Sequence, residues 1–319
     1  RRSEMSHYRS LVALSLAAAV ACGGGDRQQR DTADTTATRR DTATLVKSVE
    51  GFSTPESAKW DAEGGVWFVS NINGQPPAKD GNGFISRIDR DGNVDSLHFI
   101  QGGRGGATLN GPKGMAIIGD TLFVADIDAL RAFNRRTGAP IRSWELGRQA
   151  TFLNDVAVGA DGRVYVTDTR VVFTAAGGVT HSDADRIFVL DTSRQRLTPA
   201  IQTDSLGRPN GIVWDDRNKR FIVVPFGANA IKAWNGQNDQ LTTIATGVGQ
   251  FDGVELLPDG RILVSSWADS SLSLVQGDSI RKLVGGLAAP ADIGLDPARS
   301  VVAVPRFNDN RVDLYRIGG

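Results

Sequence analysis

Cysteine is almost missing from this 319-residue chain: Cys22 stands alone, so no internal disulfide can form. Net charge is missing too, because 36 Lys and Arg balance 36 Asp and Glu. Without a basic stripe there is no electrostatic reason to seek a phosphate backbone, and neither a Walker-type loop nor a CxxC pair occurs. No nucleic-acid partner is expected. The apolar run "LVALSLAAAVA", residues 11–21, is too short to span a bilayer as a helix. No segment of the body sustains a 3.6-residue period over ten residues, which excludes helical repeats. What remains, with 40% hydrophobic residues, 23% charged and 37 Gly, is an ordinary globular body of one large domain or two small ones.

The amino terminus reads as an address. After Met5 comes the positively charged "SHYRS", then the apolar run, then Cys22, in the order of an export signal. Ala19-Val20-Ala21 is an A-x-A site, and with Cys22 it also resembles the bacterial lipobox, although Ala19 stands where Leu is usual. Residues 1–22 are therefore expected to be a signal ending in a lipidated Cys22, since an unmodified thiol at an exported terminus would be a reactive liability. Residues 23–43 are Gly-rich, then Thr-, Asp- and Arg-rich, with too little apolar surface to offset ordering, and should form a flexible tether. The expected product is a monomeric body, residues 44–319, anchored by lipid to a bacterial membrane and facing the periplasm or exterior.

One phrase recurs along that body. "STPESAKWDAEGGVWFVSN", "NGPKGMAIIGDTLFVAD", "FLNDVAVGADGRVYVTD", "GRPNGIVWDDRNKRFIVV", "GQFDGVELLPDGRILVSS" and "AAPADIGLDPARSVVAV" each set a turn and a polar residue before two short apolar runs joined by a polar turn. This is a hairpin written six times. The period of roughly 40–55 residues leaves room for two further strands per unit, which predicts an all-β, six-bladed propeller with four-stranded blades. The last unit lacks an outer strand. "TLVKSVEGF", residues 44–52, is expected to supply it and close the ring.

The inner strand of a propeller blade runs along the central channel, so the residues that open the phrases share one mouth. They are Glu56, Lys113, Asn154, Asn210, Asp252 and Asp292. Read singly, "PNG" and "FDG" are turn formers. Read together, Glu56, Asn154, Asn210 and Asp252 place four hard oxygen donors at one register, which suits Ca²⁺ far better than Zn²⁺. Carboxylates converging there would repel one another, and a divalent cation removes that repulsion. Lys113 is expected either to bind an anionic substrate or to pair with Asp126 or Asp155. Asp292 is expected to face the channel without reaching the metal.

"PESAKW", "LNDVAVGADGRVYVTDT", "RPNGIVWDD" and "FDGVELLPDGRILVSS" resemble the senescence-marker-protein-30/gluconolactonase family and, more distantly, calcium-dependent phosphotriesterases of the diisopropylfluorophosphatase type. The likeness runs from about residue 50 to the end. It implies one divalent metal held by Glu56, Asn210 and Asp252 with Asn154 beside the substrate or completing the coordination, and hydrolysis of a lactone or organophosphate ester. "TFL" stands where an Arg usually precedes the blade-three Asn, a departure that weakens the expectation of sugar-acid lactone recognition. His98 and His181 fall in an outer run and an insertion, so a histidine dyad is not expected.

On this reading Asp252 is the first choice for general base or nucleophile and Asp155 the second. The long loops 71–84 and 169–185 should wall the site, with Lys113, Asn71, Asn73 and Asp80 meeting a small-molecule lactone or ester. The competing expectation is a non-catalytic propeller that binds a protein, peptide or glycan and holds a structural calcium. A vestigial enzyme that still binds calcium is a third.

Overall fold

A computed structural model describes residues 41–174, 178–191 and 193–318. The expected signal, Cys22 and residues 23–40 of the expected tether lie outside the described residues.

Each repeated phrase forms the two innermost strands of an antiparallel sheet. Blade one comprises Pro55–Asp61, Val66–Asn71, Phe84–Asp89 and Val94–Gln101, and blade two Pro112–Ile118, Thr121–Asp126, Ala129–Asn134 and Pro140–Glu145. Blade three comprises Leu153–Val158, Val164–Asp168, Arg186–Asp191 and Arg196–Gln202, and blade four Pro209–Asp215, Arg220–Pro225, Ala230–Trp234 and Leu241–Thr246. Blade five runs through Phe251–Leu256, Ile262–Ser266, Ser271–Gln276 and Ser279–Val284. In blade three a small extra hairpin, Val171–Phe173 with Val179–His181, is inserted between the second and third strands.

The sixth blade joins the two ends of the body. Gly294–Asp296, Val301–Arg306 and Arg311–Gly318 are completed by Thr42–Glu50, which pairs antiparallel with Arg311–Gly318 from Thr42 opposite Gly318 to Glu50 opposite Arg311. The chain is therefore a six-bladed propeller of four-stranded sheets, closed as the sequence predicts. The closing strand begins at Thr42 rather than at residue 44, and Asp41 already forms ion pairs with Arg261 and Arg281. The fold thus takes in three residues of the expected tether.

Second strands such as Val66–Asn71 are buried almost throughout, whereas the outer strand Pro140–Glu145 is mostly exposed. That is why the former read as unbroken apolar runs. The core is divided into six clusters, each shared by two neighbouring blades. Every blade is thereby buried on both faces, and apolar area removed from water, at about 25 cal/mol per Å², holds the ring together.

Around the channel the inner strands approach until backbone meets backbone. The Asp292 N–H donates to Glu56 O (2.8 Å) and the Ala58 N–H donates to Asp292 O (3.2 Å), joining blades six and one. Between blades five and six, a β-carbon on Gly253 would lie 2.3 Å from Ile293 N, so only glycine fits.

Candidate functional site

Five inner strands carry the same irregularity. Register slips between Pro55 and Ser57, Pro112 and Met115, Leu153 and Val156, Pro209 and Ile212, and Phe251 and Val254. Glu56, Lys113, Asn154, Asn210 and Asp252 sit in those slips. A β-bulge breaks strict alternation and re-aims a side chain, and here it turns one residue per blade into the channel mouth. All five line a single cavity of about 340 Å³.

Four of them present oxygens with nothing to bind. Glu56 Oε2, Asn154 Oδ1, Asn210 Oδ1 and Asp252 Oδ1 are buried without a hydrogen-bond partner. Only two other described side-chain oxygens, Asn82 Oδ1 and Gln101 Oε1, share that condition, so the unsatisfied acceptors are concentrated at this point. Buried acceptors are normally paired because an unpaired one costs roughly 1–3 kcal/mol. A hard cation would satisfy all four at once. Among the described residues no group of three or more His, Cys, Asp or Glu is arranged to hold a metal. A cation here would therefore be held by two carboxylates and two amide carbonyls.

Electrostatics point the same way. Burial, and then the Asp252 carboxylate, hold the Glu56 carboxyl well above its usual range, against the pull of Lys113. Burial and then the Asp155 carboxylate push Asp252 up to about 8. Asp155 itself is pushed up to about 7 by burial, with Lys59 opposing. Lys113 is lowered by burial, although Glu56, Asp126 and Asp168 oppose that shift. These groups are a cluster of buried acids short of positive charge.

Above this floor the walls are apolar. The residue immediately after the second strand is Ile72 in blade one, Phe226 in four, Trp267 in five and Phe307 in six, and all of them line the cavity. Trp267 lies 5.5 Å from Phe226 and 5.3 Å from Phe307, ring centre to ring centre. The inserted hairpin adds Val171, Phe173 and Val179, with Phe173 packed 5.4 Å from Phe152. Sequence reasoning located the hairpin loop but missed this wall ring. Its signal was present as the single large apolar residue just past the second strand in blades one, four, five and six.

The SMP-30/gluconolactonase/LRE-like model matches residues 54–293, three-quarters of the chain and all five bulged strands. The chain belongs to that family. No curated protein matches it in sequence. Among solved structures it is similar to a provisionally named gluconolactonase (15% identity, TM-score 0.62, covering 87% of this chain and 92% of that one). It is also similar to a luciferin-regenerating enzyme (11%, 0.61, 88% and 96%) and to virginiamycin B lyase from Staphylococcus aureus (11%, 0.60, 87% and 99%). At such identities the likeness shows a shared propeller.

Within this family member the other expected site residues fall differently. Asp155 does not line the cavity: its Oδ1 accepts from the Val156 N–H (2.6 Å) and its Oδ2 from the Ile212 N–H (2.7 Å), so it ties blade three to blade four behind the floor. Asn71 and Asn73 are also absent from the lining. Asn71 accepts from the Ser53 N–H and donates to Val69 O and Ser86 Oγ, while Asn73 accepts from Ser53 Oγ and donates to Asn82 O. Both amides brace the loop, because the bulge one strand earlier leaves Glu56 as the residue aimed inward. Asp80, likewise outside the lining, accepts from the Asn82 side chain.

Lys113 does face the cavity. Its Nζ donates to Gly111 O (3.0 Å) and lies 4.1 Å from the centre of the Phe152 ring. Asp126 instead holds Arg131, and Asp155 has no ion pair with Lys113. Asp292 accepts from Ser57 Oγ (2.5 Å) and stays out of the cavity. His98 packs on Phe84 in an outer strand, and His181 bonds Asp185 (2.6 Å), so neither joins the floor.

Proposed function

We propose that this protein is a divalent-metal-dependent hydrolase of lactones or related esters, with Ca²⁺ the favoured ion. Four buried, partnerless oxygens converging on one cavity carry this reading. In a propeller scaffold without a cation, water could reach these oxygens but would leave the two carboxylates uncompensated. Glu56, Asn154, Asn210 and Asp252 would hold the ion. When bound, it supplies Lewis-acid polarisation of a carbonyl or phosphoryl oxygen and cancels the charge of the two carboxylates.

The chain's own residues supply the rest. Asp252 lines the cavity, and its carboxylate is the group assigned to receive a proton from the attacking water. Glu56 serves coordination alone. Asp155 positions Asn154 and Asn210 through the backbone bonds described above. Lys113 offers positive charge to the carboxylate that ester cleavage produces, and the Phe226, Trp267 and Phe307 rings exclude water from the reacting group. We further propose that the body is a monomer displayed outside the cytoplasm on a lipid at Cys22.

Metal analysis of purified protein, joined to turnover of lactones and aryl esters with and without chelator, tests this directly. Stoichiometric calcium and chelator-sensitive hydrolysis that Asp252→Ala abolishes without unfolding are expected. Metal-dependent turnover that survives in Asp252→Ala removes the role assigned to that residue.

A further inference from the structure

Apart from the floor residues, the cavity offers two polar side chains, Thr169 and Arg208, and the indole N–H of Trp267, which is buried without a partner. Thr169 is engaged, since its Oγ1 accepts from Asn154 Nδ2 (3.2 Å) and donates to Phe152 O (3.3 Å). Arg208 is not. Its backbone N–H donates to Asp185 Oδ2 (2.6 Å) and its carbonyl accepts from the Phe226 N–H (2.9 Å), but its guanidinium has no hydrogen bond or ion pair among the described residues. Its backbone is held in the left-handed region at φ 60°. A β-carbon on Gly227 would fall 2.5 Å from Arg208 Cδ and 2.8 Å from Cγ, so the stem lies across that glycine. The side chain is thus placed by its surroundings rather than by a partner.

This leaves a cavity with one unengaged cationic fork, one indole N–H at Trp267 and otherwise aromatic or aliphatic walls. A polyhydroxylated sugar lactone would bury several hydroxyl groups against those walls, most of them losing water without gaining a partner. An apolar ring loses nothing there and stacks on Trp267 and its neighbours. A guanidinium fork matches a carboxylate in shape and charge. Lys113 and Arg208 offset Glu56 and Asp252, so a divalent cation at the floor leaves the lining positive, which favours an anion.

We propose that the substrate selected by this site is an ester or lactone with an apolar, aromatic body and a single carboxylate group, the body lying against Phe226, Trp267 and Phe307 and the carboxylate meeting Arg208. The inference rests on the hydrolase reading and narrows it. In the reaction one water adds across the acyl C–O bond: the carbonyl carbon gains the water oxygen, the leaving oxygen takes a proton, and the new acid releases its proton to solvent.

The test uses calcium-loaded full-length protein and three substrates: monophenyl succinate, the uncharged phenyl butyrate, in which a methyl replaces the carboxylate, and D-glucono-1,5-lactone. The expected order of kcat/KM is succinate ester, then butyrate ester, then sugar lactone. Arg208→Ala should raise KM for the succinate ester about tenfold, with less than about a twofold change for the butyrate ester. Gly227→Ala, which touches no reacting group, should likewise raise KM for the succinate ester and leave the butyrate ester little changed, by displacing the Arg208 stem. A sugar lactone preferred over both esters overturns the proposal, as does an Arg208→Ala loss equal for the two esters. If no substrate is hydrolysed, the hydrolase reading falls, and binding decides the rest. Quenching of tryptophan fluorescence by monophenyl succinate, lost in Trp267→Phe and weakened in Arg208→Ala, sustains the ligand class; no quenching overturns it.

Discussion

The Asp155 carboxylate accepts the backbone N–H of Ile212 at 2.7 Å, two residues beyond Asn210, and so ties the floor of blade three to that of blade four. Asp155→Ala leaves two buried N–H groups, those of Val156 and Ile212, without their acceptor. We expect a loss of about 1–3 kcal/mol in unfolding free energy and a drop in metal affinity of roughly tenfold or more, as outer supports of ligand residues give. Denaturant titration and chelator competition measure the two effects. Unchanged affinity would show that Asp155 does not position the floor.

The raised acids set a pH dependence for metal-free protein. An unfolded carboxylate has a pKa near 4, whereas Asp155 and Asp252 are raised to about 7 and about 8 when folded. Between those limits the folded state holds the extra protons, so stability falls as pH rises, by about 1.4 kcal/mol per unit for each proton held in excess. Melting temperature in chelator should therefore decline from pH 5 to pH 8. Calcium competes with those protons, and the stabilisation it confers should grow over the same interval. A flat profile in chelator would contradict the burial of these carboxyls.

Glu56→Gln separates charge from packing. The variant keeps the side-chain volume while removing one of the two buried carboxylates of the proposed ligand set, Glu56 and Asp252. Metal-free protein should become more stable above pH 7, because an unpaired buried charge is removed, while the rise in melting temperature on adding calcium should largely vanish. Calorimetric scans with and without calcium check both signs.

Gly253→Ala addresses the ring itself. The added methyl would lie 2.3 Å from Ile293 N and 2.7 Å from Asp292 Cα, forcing blades five and six apart. A destabilisation of about 1–3 kcal/mol is expected from overpacking against backbone, with weakened metal binding because Asp252 is the adjacent residue. A thermal melt matching wild type would show that the inner strands can separate freely.

Closure predicts a sharp boundary for truncation. Removing residues 1–40 should leave the melting temperature of the body within about 2 °C, since a ΔΔG below 1 kcal/mol moves it by no more than that order. Removing residues 1–50 strips the strand paired with Arg311–Gly318 and the Asp41 ion pairs to Arg261 and Arg281. The bare edge should then drive association of copies, visible by light scattering.

Much of this was written in the chain itself. Six copies of one hairpin phrase specify six blades, because each second strand is buried on both faces and must be apolar throughout. The same register named Glu56, Asn154, Asn210 and Asp252. Strand alternation could not tell Asn154 from Asp155, or Glu56 from Asn71. That choice is made by the bulge, which inserts one residue out of step and sends Asn154 to the cavity while turning Asp155 into the wall. Only the assembled ring decided the cavity's character. Phe226, Trp267 and Phe307 lie on separate blades, about 40 residues apart in sequence, and meet only when the ring closes. Likewise Arg208 owes its placement to an absent side chain at Gly227 on the neighbouring strand end. Local pattern encodes which strands form and what they bury; where side chains from different blades converge depends on backbone packing that no single segment contains.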